Sequence, residues 1–98
     1  MPALLEHANI TVADPAATAA WMGRIFGWNL RWEGDSAMGG HTKHVGTDTH
    51  YVALYTPGTV ISDKSDSYHA TGGLNHLAVV VDDLDATEAL VHAEGFKS

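Results

Sequence analysis

The chain has 98 residues, 45% hydrophobic and 17% charged, with a formal net charge of −7 when histidine is neutral, which describes one globular domain at most and not a disordered chain. Its five lysines and arginines are scattered, so no basic face is available for nucleic acid and nothing favours an anionic membrane surface. Cysteine is absent, which excludes disulfides, thiolate metal sites and a cysteine nucleophile and fits a reducing compartment.

The opening residues, Met1 to His7, carry neither the basic segment nor the apolar run of a signal peptide. The purest aliphatic run, Leu77 to Val81, is far too short to span a bilayer. A cytoplasmic protein is the expectation.

Ala8 to Val12 reads as a strand, with Ile10, Thr11 and Val12 β-branched. Asp14-Pro15 then supplies an N-cap with proline at the first helical position. The helix predicted from Pro15 to about Phe26 places Ala17, Trp21 and Ile25 on one stripe with Ala20 beside it, and Gly27 is its C-cap. Three strands follow, Trp28 to Glu33, His41 to Val45 and His50 to Tyr55, separated by the Gly-rich turn from Gly34 to Gly40 and by Gly46-Thr47-Asp48. Pro57 to Gly73 shows little periodicity and reads as a connecting loop, with Val60 and Ile61 as its candidate anchors. A second strand, Leu74 to Val81, precedes a helix capped by Asp83 and closed by Gly95.

A shift of 69 residues superimposes the two strand–helix units, matching Leu5 with Leu74, His7 with His76, Val12 with Val81 and Asp14 with Asp83. Ala17, Thr18 and Ala20 likewise fall on Ala86, Thr87 and Ala89. Shared strand–helix composition accounts for the valine, the aspartate and the alanines, but not for a histidine in register. A duplication is therefore expected. The fold class is α+β with paired βαβββ modules, the second incomplete and reduced to βα: 1–57 form the first module, 58–73 the connecting loop and 74–98 the opening of the second. Three strands are missing from the second copy if the copies were once equal, which would leave sheet edges bare for another chain.

Strand alternation assigns the faces. Ile10 and Val12 lie under the helix, so His7, Asn9 and Thr11 face the opposite side; in the second copy His76 does the same. If two such modules pair edge to edge, that side becomes a cleft with His7 and His76 across it, and neutral imidazoles are common ligands of divalent metals. Tyr51 and Tyr55 share this face with Ala53, while Val52 and Leu54 face the core. Trp28, Leu30 and Trp32 share one strand face and are read as core; Arg31, alternating with them, is read as solvated, with contact to an anionic substrate as the alternative. His41, His44, His50 and His69 lack ligand spacing and are read as surface positions or neighbours of a site. Asp82, Asp83 and Asp85 belong to a helix N-terminus, where the macrodipole and the cap explain them without a metal.

The two units, with strands reading His7-Ala8-Asn9-Ile10-Thr11-Val12 and Gly73-Leu74-Asn75-His76-Leu77-Ala78-Val79-Val80-Val81, resemble the vicinal oxygen chelate superfamily of glyoxalases, bleomycin-binding proteins, fosfomycin-resistance thiol transferases and extradiol dioxygenases. The resemblance covers essentially the whole chain and implies His7 and His76 as ligands of a divalent ion (Zn, Ni, Mn or Fe), with metal-free members also known. The fourth-strand ligand of glyoxalase I falls on Ala53, which cannot ligate. The last-strand Glu of the thiol transferases and dioxygenases would lie beyond the second helix, so the chain resembles a shortened member. Three functional readings follow: a small-molecule binding protein whose cleft is lined by His7, Asn9, Tyr51, Tyr55 and His76; a metal-dependent lyase, thiol transferase or dioxygenase with His7 and His76 on the ion; and an inactive oligomerising module. A homo-oligomer, dimeric or strand-swapped, is the expected assembly.

Overall fold

The computed structural model describes residues 1–37, 39–61 and 66–98. Position 38 of the Gly-rich turn and positions 62–65 of the connecting loop lie outside the described residues. The elements run β1 (His7–Thr11), α1 (Pro15–Phe26), β2 (Asn29–Asp35), β3 (His41–Gly46), β4 (Tyr51–Thr56) and α2 (Leu84–Ala93). One four-stranded mixed sheet is formed in the order β1-β4-β3-β2, parallel between β1 and β4 and antiparallel elsewhere. The first module is thus βαβββ, and the α+β class read from the sequence holds.

Local chemistry accounts for α1. Asp14 stands extended at the N-cap, its carboxylate accepting the Ala17 N–H at 3.1 Å, with Pro15 next. Gly27 adopts φ 72° and its N–H donates to the Gly23 carbonyl, ending the helix in a left-handed cap. The buried face of the helix runs through Pro15, Met22 and Ile25. Ala17 and Ala20 are exposed, a correction to the predicted stripe: an alanine-rich helix gives periodicity little to discriminate on, and the long Met22 side chain reaches the sheet instead.

Met22, Val45, Val52 and Leu54 form the core, flanked by Ile10, Val12, Ala19, Trp21, Phe26 and Trp28. Leu54 and Val45, on the two central strands, are 0% and 1% exposed. Burial of this set beneath α1 fixes which face of the sheet is covered.

The second copy behaves differently. Asp83 caps α2 as Asp14 caps α1, accepting the Ala86 N–H at 3.0 Å. Leu74 to Val81, predicted as a strand, joins no ladder among the described residues, and Val80 is 99% exposed. An apolar run becomes a strand only when a neighbouring strand satisfies its N–H and C=O groups, and none pairs with it here. The second unit is therefore an extended segment and a helix. In the connecting loop Val60 is half-buried and Ile61 exposed, so only Val60 docks. α2 rests on α1 through a two-pronged contact, in which Arg24 Nε and Nη2 donate to Glu94 Oε2 and Oε1 at 2.5 and 2.7 Å, and through the Trp21–Phe96 edge contact at 5.2 Å.

Candidate functional site

The face of the sheet turned away from α1 carries a continuous row of rings. His7 on β1 lies opposite Tyr51 on β4, and their rings stack at 4.7 Å with an interplanar angle of 5°. His44 on β3 stacks on Tyr51 at 4.6 Å, and Trp32 on β2 follows at 5.0 Å from His44. Every strand of the sheet contributes one ring. Strand alternation predicted His7 and Tyr51 for this face, with Tyr55, Asn9 and Ala53 beside them, and the parallel pairing of β1 with β4 sets Asn9 opposite Ala53 and Thr11 opposite Tyr55. Asn9 is exposed and Ala53 only 3% exposed. The Tyr55 hydroxyl donates to the Gly39 carbonyl at 3.0 Å, tying the β2–β3 turn to the edge of this face.

Trp32 and Arg31 correct the sequence reading. Leu30 pairs with Val45, yet Trp32 pairs with His44, so Arg31 is an extra residue in β2. A bulge of this kind reverses the facing of everything beyond it. Trp28 stays against the core, whereas Trp32 turns to the open face and is 50% exposed. Its indole lies across Gly34, where an added Cβ would come within 2.7 Å of the ring. A glycine inside a strand is the sequence signal that could have indicated a bulge or a close approach. Arg31, read as solvated, holds its guanidinium carbon 4.5 Å from the Tyr51 ring centre, a cation–π contact.

The row has a defined electrostatic character. His44, read as a surface position, is held below its ordinary pKa by partial burial first, and then by the nearby positive potential of His7 and Arg31. It is a neutral imidazole at neutral pH. His7 places Nδ1 2.9 Å from Glu6 Oε1. An ionised carboxylate only accepts, so Nδ1 carries a proton toward Glu6 and the neutral form of the ring has its lone pair on Nε2. That is the orientation a metal-ligating histidine adopts with a carboxylate behind it.

The donor set for a metal is nevertheless incomplete. Among the described residues no group of three or more His, Cys, Asp or Glu side chains is placed to hold an ion. His76 is exposed on the unpaired segment, and Ala53, beside His44, has no donor. Catalytic zinc and two-histidine-one-carboxylate iron sites take three protein ligands, so the described residues do not fit a resident metal. His41 and His69 lie apart from the row, His41 3.6 Å from Asp35 and His69 in the connecting loop. Among the described residues no helix is long and apolar enough to cross a membrane.

A second concavity, of about 530 Å³, lies beside the covered face. Trp21, Met22, Phe26 and Trp28 form one wall, Leu77 to Val80 the other, and His7 and Tyr51 reach its rim.

A family model of the Glyoxalase/Bleomycin resistance protein/Dioxygenase superfamily matches residues 4–98. Among solved structures, the fosfomycin resistance protein FosX from Listeria monocytogenes, determined with Mn(II) and sulfate, superposes with a TM-score of 0.71 at 17% identity, over 99% of this chain and 75% of that one. SMU.1112c superposes with a TM-score of 0.73 at 16% identity, over 97% of this chain and 77% of that one. VPC_CASS1, from the mobile metagenome of V. Pseudocholerae, gives 0.59 at 19% identity, over 97% and 69%. At such identities these likenesses establish the fold. No curated protein sequence matches the chain.

Proposed function

The chain belongs to the glyoxalase/bleomycin resistance protein/dioxygenase superfamily, and we propose that it binds a small molecule on the open face of its sheet, against the row Trp32–His44–Tyr51–His7. The observation that carries this reading is the row itself, four ring-bearing side chains in successive contact, one from each strand. A row of rings on a partly exposed surface presents polar and apolar ring edges along its length and the half-exposed indole of Trp32 at its end, a combination that suits a flat polar ligand. Asn9 and Tyr55 flank the row and supply hydrogen-bonding groups at its border.

The test is a thermal-shift screen of flat heterocyclic and aromatic compounds, repeated on Tyr51→Ala. Compounds that raise the melting temperature of the native chain should lose that effect in the variant, because Tyr51 contacts His7, His44 and Arg31 at once. Hits that stabilise the variant equally would place binding elsewhere.

The His7–Glu6 pair supports a second reading, in which His7 contributes one ligand to a divalent ion whose other donors come from outside the described arrangement, His76 or another chain among them. Metal affinity of the native chain and of a His7→Ala, His76→Ala double variant separates the two. Stoichiometric metal lost in the double variant favours the metal reading; ring compounds that bind without metal favour the first. A homo-oligomer is proposed with either, since Leu77, Val79 and Val80 of the unpaired segment are exposed. Light scattering tests it, and a stable monomer would contradict it.

A further inference from the structure

We propose that the open-face site selects flat aromatic carboxylates, with the ring of the ligand on the outer face of Trp32 and its carboxylate on the guanidinium of Arg31. This inference rests on the small-molecule reading above and names the class of molecule that the site would prefer.

Arg31 decides the matter through the way it is already held. Its guanidinium carbon sits over the Tyr51 ring, 4.5 Å from the ring centre. The five N–H donors of a guanidinium lie in its plane and point outward from its edges. No carboxylate or carbonyl of the described residues accepts a hydrogen bond from Arg31. Arg24 and Lys43, by contrast, are each committed to a glutamate. In a chain of net charge −7, Arg31 is, with Lys97, a described cation that no described acidic residue claims, and it is the one that stands on the ring row. A planar fork of donors matches a carboxylate in two-pronged fashion.

His44 is neutral for the reasons given above, so it offers the ligand a ring face without a second strong cation. Arg31 reaches this face by alternation with Leu30, and the bulge turns Trp32 to it as well, so the ion-pairing group and the exposed ring are consecutive residues. A Cβ added at Gly34 would meet the indole, and Trp32 keeps 50% of its surface exposed. Ring and charge together select an anion attached to a flat ring over either component alone.

Three probes test the assignment by titration on the native chain and on Arg31→Gln: 2-naphthoate, its neutral counterpart 2-naphthamide, and cyclohexanecarboxylate, which has the charge without the flat ring. The native chain should bind 2-naphthoate about tenfold more tightly than either other probe at low salt, as expected for one charge-assisted, two-pronged contact on a partly exposed site. Arg31→Gln should bring naphthoate and naphthamide to within about twofold, leaving naphthamide affinity unchanged. A circular dichroism spectrum identical to the native one checks that the exposed substitution leaves the fold intact. Naphthamide binding as tightly as naphthoate, or an unchanged ratio in Arg31→Gln, overturns the carboxylate assignment while leaving the ring-binding reading standing. Cyclohexanecarboxylate binding as well as naphthoate overturns the role given to Trp32. If none of the probes perturbs Trp32, both the assignment and the reading beneath it fail.

Discussion

The two strand–Asp–helix units of this chain share their caps and differ in their surroundings. Asp14 stands at φ −137°, ψ 91° and Asp83 at φ −132°, ψ 101°, each accepting the N–H three residues on. Yet α1 buries Pro15, Met22 and Ile25, whereas α2 buries nothing, and β1 pairs with β4 while Leu74 to Val81 pairs with no described strand. The difference teaches that a helix cap is local chemistry, complete within four residues, whereas a strand is defined by its neighbour. The first copy has β2, β3 and β4 to close over; among the described elements the second leans on α1.

The sharpest way to break the comparison is to remove a side chain from each unit. Leu54→Ala empties the centre of the first, and should cost about 3 kcal/mol of unfolding free energy in urea because Leu54 is fully buried. Leu90→Ala in α2, where Leu90 is 43% exposed, should cost less than about 1 kcal/mol. Equal losses would mean that the second unit has a core of its own.

The caps give a smaller effect. Asp14→Ala should lower global stability by about 1 kcal/mol. Asp83→Ala should instead speed hydrogen exchange across Leu84–Ala93 with little change in the sheet. Phe96→Ala should do the same, since Phe96 meets Trp21. If Asp83→Ala lowered the melting point as much as Asp14→Ala, the two units would unfold as one.

A pH titration sharpens the sheet side of the comparison and has the smallest effect. His44 in the folded chain lies below its ordinary value, so the unfolded chain takes up this proton first as pH falls. The His44 contribution is therefore constant above pH about 6.5, declines as pH drops from there through the depressed folded value, and is flat below it. His44→Gln should remove that slope in denaturation curves between pH 7 and pH 5; an unchanged slope would assign it to other groups.

Much of this was legible in the sequence because it depends on near neighbours. Asp14-Pro15, Gly27, Asp83 and the alternation of β4 each declare their conformation locally, and β4 alone predicted Tyr51 and Tyr55 on one face with Val52 and Leu54 on the other. The bulge at Arg31 was not legible. Trp28, Leu30 and Trp32 alternate without a break, and only the pairing of Leu30 with Val45 and Trp32 with His44 reveals the extra residue. The ring row was half visible for the same reason: His7 and Tyr51 followed from parity, as did the side of β2 that Arg31 takes, while Trp32 and His44 required the register of strands distant in sequence. Leu74 to Val81 has the composition of a strand, and composition carries no information about whether a partner is present.

The central claim is that ligands bind to the open face at the ring row and not in the apolar cavity beside the helix. The chain holds three tryptophans, and they divide between the two places: Trp32 in the row, Trp21 and Trp28 in the cavity wall. The indole N–H signals of an NMR titration with 2-naphthoate therefore report the location directly, with Trp32→Phe assigning one of them. A shift of the Trp32 signal with Trp21 and Trp28 unmoved is the predicted result; movement of Trp21 and Trp28 with Trp32 unmoved would contradict it.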